Sequence, residues 1–232
     1  MSTGRDWVAW HDAYDDPQTP LARRLVAVQA RITEALDQAP PGPLRAVSIC
    51  AGQGRDLIGV LAEHPRGRDV TARLVELDPR NAAVARQLAA DAGLTQVEVV
   101  TGDAAQTVAY AGLVPATLVL ACGVFGNITD EDVARTIRCC AGLCAAGGTV
   151  VWTRGRREPD LIPQICEGMR RRASSCWVCQ RRGRAGESAR TGLRGHPRRC
   201  QWVSRCSPSW GMTCSGLSPA SARRSAPGFA LS

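Results

Sequence analysis

The sequence predicts an α/β fold: a doubly wound, mostly parallel sheet that follows an N-terminal helical extension and precedes an irregular C-terminal tail. Three observations predict it. From residue 44 onward, short and nearly continuous apolar runs alternate with segments of helical period, the pattern of strands covered on both faces. Two helices open on a capping residue followed by proline, Thr19-Pro20 and Asp78-Pro79. At Val47-Ser48-Ile49-Cys50-Ala51-Gly52-Gln53-Gly54-Arg55-Asp56 an apolar strand meets a Gly-x-Gly turn and passes at once into a helix. Such a junction places backbone N–H groups and the positive end of a helix at the sheet edge, where open α/β sheets take their ligands.

The elements follow in order. Residues 1–43 form the N-terminal extension, first a short aromatic segment with Trp7, Trp10, His11 and Tyr14, broken at Asp16-Pro17. A helix from Thr19-Pro20 then carries Leu21, Leu25, Val28, Ile32 and Leu36 at helical spacing, with Arg23, Arg24, Arg31, Glu34 and Asp37 off that stripe, and ends at Ala39-Pro40-Pro41-Gly42-Pro43. The α/β domain spans residues 44–172. Its first strand is Arg45 to Cys50, with a helix from about Arg55 to His64. The second strand is Ala72 to Leu77, and its helix runs from Asp78-Pro79 to Gly93, a residue suited to a C-cap. Strand three is Val97 to Thr101, followed by a short helix over about Ala104 to Ala111. Strand four is Ala116 to Ala121. Thr129 to Asp132 resembles a capping box, and the helix behind it uses Val133, Ile137, Cys140 and Cys144 on one side. Gly147-Gly148 leads to strand five, Thr149 to Thr153, and Asp160 opens a last helix with Leu161, Ile162, Ile165 and Met169.

Composition narrows the function. With 232 residues the chain can bury a full α/β core. No apolar run approaches the ~20 residues of a membrane span, and the polar start has no signal-peptide core, so the expectation is a cytoplasmic protein with no membrane partner. The 11 cysteines then read as free thiols. Cys139, Cys140 and Cys144 read as small packing residues. Cys176-x-x-Cys179 lacks a second pair at metal-site spacing, so no metal is expected. The formal charge of +8 is unevenly spread. Residues 1–162 hold 16 Arg against 19 acidic residues, while residues 163–232 hold 13 Arg against two Glu. The part that carries the glycine turn is mildly acidic, which disfavours a nucleic-acid groove there.

Two ligand classes fit a strand–glycine-turn–helix junction. A nicotinamide or flavin dinucleotide wants Gly-x-Gly-x-x-Gly, and Leu57 stands at the third glycine position. The other class emerges from four segments in order: Cys50-Ala51-Gly52-Gln53-Gly54; Glu76 at the end of strand two, followed by Leu77-Asp78-Pro79; Gly102-Asp103-Ala104; and Cys122-Gly123-Val124-Phe125-Gly126-Asn127 after strand four. Together they resemble the class I S-adenosyl-L-methionine-dependent methyltransferases over about residues 44–160. The whole most resembles an actinobacterial group of unassigned substrate, which shares a start like Trp10 to Pro17.

That resemblance implies a Rossmann-like fold, S-adenosyl-L-methionine as cofactor and a small-molecule methyl acceptor. It places Cys50, Ala51, Gly52, Gln53 and Gly54 against the methionine part, with Cys122 and Gly123 at the same end. Glu76 would accept from both ribose hydroxyls, Leu77 would pack on the adenine, and Asp103 and the Ala104 N–H would meet its polar edge. Ser48 and Cys50 stand where the family has an acidic residue and a glycine. The catalytic residue is left unassigned. His11, Tyr14 and Asn127 are the candidates, because they would border the methyl group and a protic acceptor needs a base.

Residues 173–232 read as a low-order tail rich in Arg, Cys and Ser. Leu, Ile, Val and Phe number only seven in the last 70 residues, too few for a core. Back-translation allows out-of-frame codons that would restore strand-like sequence, so the tail looks frameshifted, and impaired activity would follow. Strand five is expected to have an unpaired edge. Two other functions stay open: an inactive or non-catalytic Rossmann-fold nucleotide-binding protein, and a nucleic-acid-associated protein that uses the Arg-rich tail.

Overall fold

The computed structural model describes residues 6–155, 159–170 and 175–178. Strands β1 (Leu44–Ile49), β2 (Val70–Glu76), β3 (Val97–Thr101), β4 (Ala116–Ala121), β5 (Cys144–Trp152) and β6 (Ser175–Val178) form one sheet in the order β3-β2-β1-β4-β5-β6, every pairing parallel. The strand order reverses direction at β1, so the C-terminal ends of β1 and β4 flank the crevice that such sheets use for ligands.

The alternation of side chains along each strand explains the two layers. Val47 and Ile49 of β1 face one way, with Val119, Val150 and Trp152, and α5 (Asp130–Leu143) and α6 (Ile162–Arg170) cover them with Val133, Ile137, Ile162 and Met169. Ala46 faces the other way, with Leu74 and Leu120, under α2 (Pro20–Gln38), α3 (Arg55–Glu63) and α4 (Pro79–Asp91). Helix α2 is therefore a full member of that layer: Val28, Ile32 and Leu36 are buried, and Ile32 is completely covered. Burying one such side chain contributes about 1.5–3 kcal/mol. Leu25, at the edge of the same stripe, is only half-buried.

The helix starts form as their sequences suggest. Thr19, Asp78 and Thr129 each accept a hydrogen bond from a backbone N–H of the first turn, which satisfies donors that a helix start otherwise leaves unpaired. Gly93 takes the left-handed conformation past the end of α4.

Three expectations change. Cys144 does not continue α5. The helix ends at Leu143 and β5 begins at Cys144, running through Gly147-Gly148 with a register shift against β4. A side chain at Gly148 would meet the Thr117 carbonyl at 2.9 Å, so the glycine admits close strand approach. The helix expected over residues 104–111 is a single 3-10 turn, Thr107–Tyr110. The edge of β5 is not left open over its last residues: β6 pairs with it from Thr149↔Ser175 to Trp152↔Val178. The requirement for a long run apolar on both faces holds for central strands, whereas an edge strand needs only backbone donors and acceptors on one side. The remainder of the tail expected to be irregular, 173–174 and 179–232, lies outside the described residues. Among those described, no helix is long and apolar enough to cross a membrane, and no cluster of His, Cys, Asp and Glu could hold a metal.

Candidate active site

The turn after β1 is shaped by three left-handed residues, Cys50 (φ 51°), Gly52 (φ 57°) and Gly54 (φ 67°). Ala51 N–H donates to the Val75 carbonyl and Gly54 N–H to the Ala51 carbonyl, which ties the turn to β2 and closes it ahead of α3. Glu76, the last residue of β2, is buried and reaches across to the turn. One carboxylate oxygen accepts from the Gly52 N–H at 2.7 Å, and the other accepts from the Asp78 N–H at 2.9 Å. Burial pushes the Glu76 carboxyl up from its ordinary value, while these backbone donors pull the other way.

A cleft opens over this turn. Cys50, Ala51, Gly52, Gln53, Gly54, Glu76, Cys122 and Gly123 line it, and so do His11, Tyr14 and Asn127. Leu77, Asp103 and Ala104 do not line it. Leu77 is 47% exposed. The Asp103 carboxylate caps the Ala105 N–H at 2.8 Å, and Ala104 is buried with its carbonyl accepting from the Tyr110 hydroxyl. The three therefore sit on an open surface beyond Glu76 or under it, not on the cleft wall.

The roof comes from the N-terminal segment. Helix α1 (Trp7–His11) and the 3-10 turn Asp12–Tyr14 place Trp7, Trp10, His11 and Tyr14 at helical spacing on one face, all over the cleft. Several contacts hold them there. Asp6 pairs with Arg80, Asp15 pairs with Arg55 at 2.7 Å, and the Tyr14 hydroxyl accepts from Arg24 at 2.9 Å. Arg24 lies over the Trp10 ring and Arg55 over the Tyr14 ring, 5.4 and 5.6 Å from the ring centres. His11 Nδ1 hydrogen-bonds the Trp7 carbonyl at 2.5 Å, and a methyl group at Gly52 would stand 2.5 Å from His11 Nε2. Burial, with Arg55 and Arg24 nearby, pushes the His11 imidazole below its ordinary value. Burial raises the Tyr14 phenol above its own.

The loop after β4 closes the other side. Gly123 N–H donates to the Thr153 hydroxyl at 2.7 Å, and the buried Arg154 holds the Phe125 carbonyl and pairs with Asp130. Asn127 donates to the Gly123 carbonyl, and its Oδ1 is buried on the cleft wall with no hydrogen-bond partner among the described residues. An unpartnered buried carbonyl oxygen carries a desolvation cost that a bound donor would remove.

Sequence reasoning missed several wall residues. Arg24 stands off the apolar stripe of α2 and looks solvated, yet it turns back ten residues to Tyr14. Asp56 looks like the free start of α3, yet its part-buried carboxylate caps its own helix at Leu57 N–H and meets the Cys122 thiol, and burial raises its pKa. Asn81 is buried and accepts from Gln53. The repeat of aromatic residues at 7, 10, 11 and 14 was the one available signal, because that spacing marks a single helical face.

A family model described as "Putative methyltransferase" matches residues 21–192, running past residue 172 and through β6. No curated protein matches the chain. Among solved structures, an O-methyltransferase family protein from Burkholderia thailandensis is 20% identical, with 71% of this chain and 46% of that chain covered at a TM-score of 0.51. A methyltransferase from Thiobacillus denitrificans, whose structure holds S-adenosyl-L-homocysteine, is 22% identical, with 64% and 54% covered at a TM-score of 0.45. The chain spans about half the length of these two proteins, and the first shares its fold, a Rossmann-like α/β sheet.

Proposed function

The chain belongs to that family of methyltransferases, and on this premise we propose that it transfers a methyl group from S-adenosyl-L-methionine to a small-molecule acceptor. The observation that carries the cofactor assignment is Glu76, a buried carboxylate at the end of β2 that holds the glycine turn by its Gly52 N–H. Its two oxygens accept from the Gly52, Asp78 and Leu77 N–H groups and keep further acceptor capacity, which suits a ribose with two neighbouring hydroxyls. The unpartnered Asn127 Oδ1 suits a donor such as the cofactor's amino group. Gly52 leaves the turn without a side chain under His11, where the ligand would approach, while a side chain at Gly54 would strike Leu74 and Ile58 of the core.

When bound, the cofactor supplies an electrophilic methyl group on sulfur. The chain's own contribution is to hold and orient the reactants and keep water out, with the aromatic roof and the loop after β4 closing on either side. Leu77 and Asp103 would serve the adenine from the open surface beyond Glu76, with Ala104 buried behind them. His11, Tyr14 and Asn127 remain the candidates beside the reacting methyl; burial, against the pull of Arg24, keeps Tyr14 a hydrogen-bonding phenol rather than a base.

Calorimetry tests the assignment. S-adenosyl-L-methionine and S-adenosyl-L-homocysteine are expected to bind, and NAD is not. Binding of NAD with no response to either sulfur nucleoside would sink it. The membership in an actinobacterial group and the frameshift reading of the tail belong to the same proposal. Resequencing the coding DNA around codons 160–175 decides the second, and an unbroken frame there and downstream disposes of it.

A further inference from the structure

We propose that His11 Nε2 accepts the proton of an aromatic hydroxyl, so that the methyl acceptor is a phenol-type compound seated under the N-terminal roof. This rests on the methyl-transfer reading above and deepens it.

The tautomer of His11 follows from its partner. A carbonyl oxygen can only accept, so the hydrogen bond between Nδ1 and the Trp7 carbonyl requires the hydrogen on Nδ1. A neutral imidazole has one N–H, and Nε2 is then left with its lone pair. That lone pair has no donor among the described residues. It stands against Gly52, on the cleft wall, close enough that a methyl group at Gly52 would meet it at 2.5 Å. Burial, with the nearby Arg55 and Arg24, opposes a positive charge on the ring, the Trp7 carbonyl and Asp12 favour one, and the balance falls below the ordinary imidazole value. The resting ring is therefore neutral and able to accept a proton.

The surroundings narrow the acceptor. The wall beside His11 is aromatic: Trp10 and Tyr14 pack around its ring with centroids 5.1 and 5.5 Å away, and Trp7 lies 5.5 Å from Trp10. A flat ring fits such a wall. A neutral amine attacks through its own lone pair and needs no base beforehand. An aliphatic hydroxyl is a far weaker acid than a phenol, so a neutral imidazole draws off its proton less readily, and an aliphatic chain gains less from an aromatic wall. A phenol, at about 10, is within reach of an imidazole that takes the proton as the new bond forms. In that step the O–H bond breaks, its proton goes to Nε2, and its electron pair stays on oxygen. The oxygen forms the bond to the methyl carbon as the methyl–sulfur pair leaves with sulfur.

The test uses the full chain labelled with [15N]histidine and saturated with S-adenosyl-L-homocysteine, whose binding is established first by calorimetry. Failure at that stage counts against the cofactor assignment and not against this proposal. The His11 ring is identified as the resonance missing in His11→Gln or, should that variant not fold, by its through-space contact with Gly52 in the unaltered protein. Two probes are compared: phenol, and anisole, the same ring with its O–H already methylated. The expected result is a hydrogen on Nδ1, a shift of the Nε2 resonance on adding phenol, and binding of anisole at least about tenfold weaker, the loss of one hydrogen bond to a strong acceptor. A hydrogen on Nε2, no phenol-dependent shift, or equal response to the two probes would overturn the proposal.

Discussion

Around Gly52 the chain closes from three directions, whereas around Asp103 it stays more open. The turn after β1 is held from below by Glu76, roofed by His11 and flanked by the loop after β4. Asp103 is a half-buried loop acid that caps its own turn, and Leu77, just past the end of β2, is largely open to solvent. The sequence motif treats both regions as one site. On the proposed reading, this difference gives a preorganised seat for one end of the cofactor and an open groove for the other, so binding energy should concentrate at the first.

The sharpest way to break that comparison is Gly52→Ala. The left-handed backbone alone costs a non-glycine residue about 1–2 kcal/mol, and the new methyl would displace the His11 ring. Binding of S-adenosyl-L-homocysteine is expected to weaken by about a hundredfold or more, because strain and loss of the roof add. A variant that binds within about threefold of the parent would show that the roof is no part of the seat.

Glu76→Ala comes next. It removes a charge-assisted acceptor worth roughly 1.5–3 kcal/mol, about ten- to hundredfold in affinity, and leaves the Gly52 and Asp78 N–H groups without their partner. Asp103→Ala should cost about 0.5–1.5 kcal/mol, the range of an ordinary hydrogen bond in a wetter place. Calorimetry on the two variants side by side decides the matter. Equal losses would mean that the open half contributes as much as the closed one, and the comparison would fail.

How much of this was legible in the sequence depends on the range of the interaction. Caps are local, so Thr19, Asp78 and Thr129 were readable directly, as were the ends of β3 and β4, where apolar residues stop at turn residues. The glycine turn and Glu76 were readable because strand ends and a Gly-x-Gly spacing fix their relative position. Cys144 misled because four-residue spacing from Cys140 fits a helix, while pairing with Ala116 of β4 makes it a strand residue. Arg24 and Asp56 were hidden for a different reason. Their partners are Tyr14, Trp10 and Cys122, brought together by the packing of α1 and α2 over the sheet, and no local pattern announces that. The burial of α2 within the layer was visible as an apolar stripe, but what it packs on was not.

The smallest expected effect concerns the charge on Glu76 itself. Burial raises its carboxyl above the value it has in the unfolded chain. Between those two values the native state binds more protons than the unfolded one, so stability falls as pH rises through the window, and the full cost is present above the native value. Glu76→Gln removes that charge but places an amide N–H₂ where one of two backbone donors needs an acceptor, a penalty that does not titrate. The variant's melting temperature relative to the parent should therefore drift upward as pH increases from acid toward neutral, whatever its offset. Thermal melts at a series of pH values read this directly. A difference that stays flat across the range would mean that the Gly52 and Asp78 donors fully compensate the burial of Glu76, and that the closed half of the cleft bears no electrostatic strain before its ligand arrives.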